Sequence, residues 1–147
     1  EVGVNSRLDT LQAAILRIKL KHLDAFAEAR RKAADFYDHG FAHHPKLEIP
    51  ARSSFSTHVF HQYTLKLNQV TRDDLQAHLK TKGIPSMVYY PVPLHLQTAY
   101  RHESHKEGSL PVTEALSKQV ISLPMHTELD EEQLQHITTS VLEFVNQ

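Results

Sequence analysis

The sequence predicts an α+β fold: a long N-terminal helix, then a small, mainly antiparallel sheet covered by helices on one face. Three observations carry this expectation. Apolar residues recur at helical spacing over residues 6–38, alternation marks residues 58–67, and a capped, periodic apolar pattern runs from Asp130 to the end. The order reads as long helix, strands, helix, strand, helix, strand, helix, with no internal repeat.

The first helix is expected to begin at Ser6, with Asp9 three residues on in the manner of a capping box. Leu8, Leu11, Ile15 and Ile18 form one apolar stripe, while Leu16, Leu20, Leu23 and Ala27 form a second. Over ~30 residues such a helix is roughly 45 Å long, more than a small domain's diameter. Two stripes on so long a helix call for two partners. Its first half is therefore expected to pack on another domain or subunit and its second half on this one. The alternative is a helix central to a single core.

Gly40 and Pro45 supply a stop signal. Residues 47–50 are a short strand candidate, followed by a serine-rich loop. In the 58–67 segment Val59, His61, Tyr63, Leu65 and Leu67 alternate against Phe60, Gln62, Thr64 and Lys66, which assigns the first set to one sheet face. Thr71 with Asp74 opens a helix whose Leu75 and Leu79 face inward until Gly83. Residues 87–90 read as a strand stopped by Pro91 and Pro93, which cannot donate to a ladder. Residues 94–108 are irregular, and Pro111 suits the first position of a helix through Gln119. Val120 to Leu123 is a strand ended by Pro124. The last helix starts at Asp130 with Gln133, and its apolar positions are Leu134, Ile137, Val141, Leu142 and Val145.

At 147 residues, 40% apolar and 22% charged, the chain has the make-up of one ordinary globular domain. A net charge of −1 offers no electrostatic footprint for nucleic acid or an anionic membrane surface, and no apolar run is long enough to span a bilayer. With no cysteine there is no disulfide framework, thiol nucleophile or thiolate metal site. No signal peptide is recognisable, so a cytoplasmic location is expected. The 12 histidines do not read as a metal site. His22, His39, His78 and His136 are scattered over different helices, and His58 and His61 point to opposite strand faces, which leaves His102 with His105 as a weak pair.

Three clusters carry chemistry. Asn5 and Arg7 place an amide donor and a guanidinium near a helix start, where phosphate or carboxylate is favoured, although Arg7 could equally pair with Asp9 or act as a cap. Their position at the edge of the sequence suggests that what they contact lies in sequence not included here. Tyr89-Tyr90-Pro91-Val92-Pro93-Leu94-His95 sets two aromatics and a histidine on a proline-stiffened turn. Alternation sends Tyr89 and Tyr90 to opposite faces, one into the core and one toward a ligand. Leu123-Pro124-Met125-His126 ends a strand with a histidine, which a plain surface loop would explain equally well.

The opening block from Gly3 to Leu16, the Tyr90-to-His95 loop with Gln97, Leu110-Pro111-Val112-Thr113-Glu114, and Ser122-Leu123-Pro124-Met125-His126 occur in one order. Together they resemble the C-terminal part of the DegT/DnrJ/StrS-type sugar-nucleotide aminotransferases, over essentially the whole chain. The resemblance implies the aspartate-aminotransferase fold, pyridoxal 5′-phosphate (PLP) as cofactor, and a homodimer with shared active sites. An amino group would pass from glutamate to a nucleotide-linked keto-sugar, in surface polysaccharide or amino-sugar synthesis. The opening block is most similar to members that aminate a 3-keto sugar.

In that family a lysine of the large N-terminal domain carries the cofactor. No lysine here, Lys19 and Lys21 included, matches its motif. Residues 1–147 therefore resemble the C-terminal domain, with 1–38 as its interface helix, and the chain alone would be inactive. By the same resemblance Asn5 corresponds to the asparagine that reaches the cofactor phosphate of the neighbouring subunit. Arg7 matches an arginine near the sugar-nucleotide site, Tyr90 borders the substrate pocket, and His95 follows in the same loop. Tyr89 stands where relatives carry histidine. Two other readings stay open: a stand-alone dimerisation or interaction module, and a non-catalytic sugar-nucleotide-binding domain.

Overall fold

The computed structural model describes residues 7–102 and 104–147. Helix α1 (Thr10–Lys19) starts one turn later than Ser6 suggested, because Asp9 is the cap. The Asp9 side chain accepts from the Gln12 N–H at 2.8 Å, and the Gln12 side-chain oxygen accepts from the Asp9 N–H at 3.2 Å. This reciprocal box satisfies two helix-start donors. The long helix is also not continuous. A 3₁₀ turn at Leu20–His22 separates α1 from α2 (Leu23–Phe41).

The two halves differ in burial. Leu8, Leu11, Ile15, Leu16 and Leu20 are all exposed, Leu11 at 72% and Leu20 at 68%, and α1 buries no residue. In α2, by contrast, Ala33, Ala34, Tyr37 and Phe41 lie in the core.

Three antiparallel strands lie in the order β1 (Leu47–Glu48), β2 (Tyr63–Leu67), β3 (Val120–Leu123). Leu47 stands opposite Leu67, and Tyr63 opposite Leu123. Tyr63, Leu65, Leu67, Ile121 and Leu123 are buried with residues of α2, α3 (Arg72–Thr81) and α5 (Glu131–Val145). Helix α4 (Pro111–Gln119) leads into β3. Asp130 caps α5 as expected, with Gln133 completing a second reciprocal box. Gly83 ends α3 with φ +74°, a conformation that favours glycine.

Three expectations need correction. First, the strand assigned to 58–67 begins only at Tyr63, because Phe60 has φ +47°. That left-handed residue interrupts the alternation, so Phe60 turns inward and is fully buried while Val59 is exposed. The Arg52 guanidinium lies over its ring, 4.5 Å from the centroid, and the His58 ring stacks on it at 4.0 Å.

Second, residues 87–90 are not a strand. Met87 alone bridges to Ser122, by two backbone hydrogen bonds of 2.9 Å. Third, Gly40 does not end the helix. It lies within α2, where a Cβ would fall inside van der Waals contact of Thr138 Cγ2 on α5. Its small size, rather than its backbone freedom, lets the two helices approach.

Tyr37 and Tyr63 tie helix to sheet. Their rings pack at 4.9 Å; the Tyr37 hydroxyl donates to the Pro124 carbonyl at 2.9 Å and the Tyr63 hydroxyl to Asp38 at 2.7 Å. Burial pushes both phenols up, and for Tyr63 the Asp38 carboxylate adds to the shift. Arg52 completes the network with ion pairs to Asp38 and Asp35.

Two outcomes are expected. Tyr63→Phe strips a hydrogen bond to a carboxylate and should cost about 1.5–3 kcal/mol in urea unfolding. Gly40→Ala overpacks the α2–α5 contact by about 1–3 kcal/mol, against about 1 kcal/mol of helix propensity gained. Its melting temperature should fall, and adding Thr138→Ala should recover most of the loss. Recovery distinguishes a steric clash from a backbone effect.

Candidate functional site

The exposed rim is built on the chain between Ile84 and Pro111. Pro91 and Pro93 fix the backbone after Tyr90. Two 3₁₀ turns follow, at Leu94–Leu96 and Thr98–Tyr100. Leu96 N–H donates to the Pro93 carbonyl at 2.9 Å, and the Gln97 side-chain amide donates to the Val92 carbonyl at 3.3 Å. The loop thus supplies partners for its own backbone.

On this support Tyr89 is 50% exposed and Tyr90 78% exposed. Strand alternation had assigned one of them to the core. That reading fails because the segment pairs at Met87 only and is no strand beyond it. Both tyrosines, with Pro91, Val92, Leu96 and Gln97, line an open cleft of about 410 Å³. Tyr89 also lines a second cleft, of about 250 Å³, beside His61, Gln62, Ser86, Met125 and His126. The structure therefore brings the Tyr89 loop next to the strand end that carries His126. Arg7 is among the described lining residues of neither cleft.

Arg7 is exposed, just ahead of the α1 cap. Leu8 has φ +66°, a strained conformation for a leucine, and its N–H donates to the Gln12 side chain at 2.7 Å. The capping box thus sets the direction in which the chain reaches Arg7. Asn5 lies outside the described residues.

His95 lies apart from both tyrosine-lined clefts and, with Leu96, Arg101, His102 and His105, lines a third. It is only 8% exposed, and its Nε2 lies 3.0 Å from Glu114 Oε1. Glu114 also accepts from the Gly108 N–H, at 2.9 Å to each oxygen, and from the Leu110 N–H at 3.2 Å. These contacts hold the Glu114 carboxyl below its usual range. The Gly108 N–H contributes most, against the opposing effect of desolvation, and His95 and Leu110 add to it. An ionised carboxylate only accepts, so His95 Nε2 carries the proton in this contact.

Glu114 stands within the Leu110-to-Glu114 motif, which by itself assigns it no role. The signal was present. Leu110, the residue before Pro111 at the start of α4, has no side-chain acceptor, so a first-turn glutamate is needed to meet the exposed N–H groups. Among the described residues no group of three or more His, Asp or Glu side chains could hold a metal ion, and no described helix is long and apolar enough to cross a membrane.

The three-stranded sheet, its helix-covered face and the exposed loop are similar to the C-terminal part of solved fold-type I sugar aminotransferases. The chain belongs to the DegT/DnrJ/EryC1/StrS aminotransferase family, whose model matches residues 1–142. The pleiotropic regulatory protein of Geobacillus stearothermophilus is 47% identical over 145 residues, 97% of this chain and 38% of that protein. The UDP-N-acetyl-3-dehydro-alpha-D-glucosamine 3-aminotransferase of Acidithiobacillus ferrooxidans is 42% identical over 143 residues, 95% of this chain and 37% of that protein. Among solved structures, S. venezuelae DesV in complex with a ketimine intermediate matches with a TM-score of 0.89 at 39% identity. That match covers 99% of this chain and 38% of DesV. The chain thus spans well under half the length of the relatives it matches.

The sign of the Glu114 shift sets a pH dependence. A carboxyl depressed in the folded state stabilises fully above its unfolded pKa of about 4.3, and loses that contribution as pH falls through its folded value. Glu114→Gln should therefore be less stable than the parent near neutral pH. The stability gap in denaturant titrations should narrow through the acid range below about pH 4.3. A gap independent of pH would remove the carboxylate from the stability of this loop.

Proposed function

We propose that this chain is the C-terminal domain of a PLP-dependent aminotransferase that moves an amino group from glutamate to a nucleotide-linked 3-keto sugar. The observation that carries the reading is the exposed, proline-stiffened Tyr89–Tyr90 rim on a family-typical fold. Two aromatic faces held rigidly at a cleft suit the border of a sugar-nucleotide pocket. The name of the Acidithiobacillus relative favours a UDP-linked 3-keto sugar, and polysaccharide or amino-sugar synthesis is the matching context.

Aminotransferases of this family use PLP. The described residues do not fit that cofactor by themselves. Lys46, Lys66 and Lys82 are engaged by the Val145 carbonyl, Glu48 and Glu143, the half-buried Glu114 is engaged by His95 and backbone N–H groups, and Lys19, Lys21, Lys32, Lys80, Lys106 and Lys118 are exposed. The cofactor lysine is assigned to a large domain outside this chain.

The role of this chain is to border and orient. Asn5 is assigned an amide donor to the cofactor phosphate of the neighbouring subunit, and Arg7 a guanidinium to the sugar-nucleotide. Tyr89 and Tyr90 border the sugar. The exposed stripes of α1 are assigned to packing on the large domain and on the second subunit of a homodimer, in a cytoplasmic protein.

The test uses the complete protein with PLP, glutamate and UDP-linked 3-keto sugars, following 2-oxoglutarate. Asn5→Ala removes a donor to phosphate, worth about 1.5–3 kcal/mol, and should weaken PLP retention about ten-fold or more. Arg7→Lys keeps charge but loses the planar fork, so KM for the sugar-nucleotide should rise while PLP affinity holds. If Asn5→Ala retains PLP like the parent, its role is wrong. If Arg7→Lys loses PLP instead, the two roles should be exchanged.

A further inference from the structure

The 94–110 segment is long for a connection and carries little regular structure of its own. Its described polar residues around Arg101, His102, His105 and Lys106 are exposed. A loop of this length holds one shape only if something closes it. Among the described residues, one carboxylate ties its two ends together. Glu114, in the first turn of α4, receives His95 from the near end of the loop and Gly108 and Leu110 from the far end. Both partners of the side-chain pair are largely removed from water, at 8% and 14% side-chain exposure. His95 follows Pro93 and Leu94, so the same contact anchors the turn that carries Tyr90.

We propose that Glu114 is a positioning residue: by clasping His95 and the Gly108–Leu110 backbone it fixes the Tyr90 rim for the sugar-nucleotide. The proposal rests on the reading of that rim as the pocket border. It reassigns His95 from a substrate contact to a strut, because its Nε2–H is committed to Glu114 and its ring is buried. Glutamine at 114 can keep an acceptor oxygen at the Oε1 position that His95, Gly108 and Leu110 share, but it loses the negative charge and sets an N–H₂ group against the Gly108 N–H at the Oε2 position. Leucine at 95 would fill space without donating. Glutamine at 95 can return a donor near the Nε2 position.

The experiment is run on the complete protein, with two readouts. The first is limited trypsin digestion, with cleavage after Arg101 and Lys106 mapped by mass spectrometry. When local opening precedes cleavage, the rate tracks the open population. Glu114→Gln and His95→Leu should be cut about ten-fold faster at these two sites, and His95→Gln near the parental rate. The second readout is steady-state kinetics. Glu114→Gln and His95→Leu should raise KM for the sugar-nucleotide with little change in kcat, and His95→Gln should restore it.

Parental cleavage rates in Glu114→Gln and His95→Leu overturn the proposal, as does cleavage spread over the whole domain, which would mark global unfolding instead of a freed loop. Tyr90→Ala separates the two claims. If Tyr90→Ala raises KM and Glu114→Gln does not, the positioning role fails while the rim reading stands. If Tyr90→Ala leaves KM unchanged, the rim reading fails, and with it the substrate role given to the clasp.

Discussion

Tyr37 and Tyr63 impose the constraint on which this domain depends, because Tyr63 bonds the helix that carries Tyr37, and Tyr37 bonds the chain just beyond β3, the strand that pairs with β2. Tyr37 reaches from α2 to the carbonyl of Pro124, just beyond β3, and Tyr63 reaches from β2 back to Asp38 on α2. Large rings supply the apolar contact, and satisfied hydroxyls remove the cost of burying them. The result fixes not only distance but angle: α2 cannot slide along the sheet without losing one bond or the other. Arg52 extends the tie outward, holding Asp35 and Asp38 while lying on the ring of Phe60.

Much of this was legible from periodicity and caps. The buried faces of α3 and α5 followed from Leu75, Leu79, Leu134, Ile137, Val141 and Val145, and the Asp130–Gln133 box marked a helix start correctly. Illegible features were those where one residue changes the local geometry without changing its chemical type. Phe60 looks like any strand aromatic, yet its left-handed backbone swaps which neighbour faces the core. Gly40 looks like a terminator, whereas its meaning is set by Thr138, which a single helix pattern cannot reveal. The 3₁₀ turn at Leu20–His22 falls among good helix formers and leaves no compositional mark.

The site divides in the same way. That the Tyr89–His95 segment is a stiff, exposed turn followed from its two prolines. Which side chains it shows to solvent did not follow, because alternation was applied to a segment that pairs through Met87 alone. His95 was grouped with the tyrosines by proximity in sequence, while its actual partner lies on another helix. The loop thus separates two tasks. Aromatic rings are displayed outward on a fixed backbone, and the polar groups that fix it are turned inward, where water competes less for them.

The strand order has a consequence for how the domain is assembled in time. β2 lies between β1, which precedes it closely, and β3, which arrives only after α3, the long loop and α4 have been laid down. Pairing Tyr63 with Leu123 closes a large loop of chain, and that entropy must be met before the contact returns anything. The β2–β3 ladder therefore carries a larger closure cost than the β1–β2 ladder. The inward ring of Phe60 and the short, lysine-bearing β2 leave little flat, apolar edge for another chain to adopt whenever β3 is unpaired.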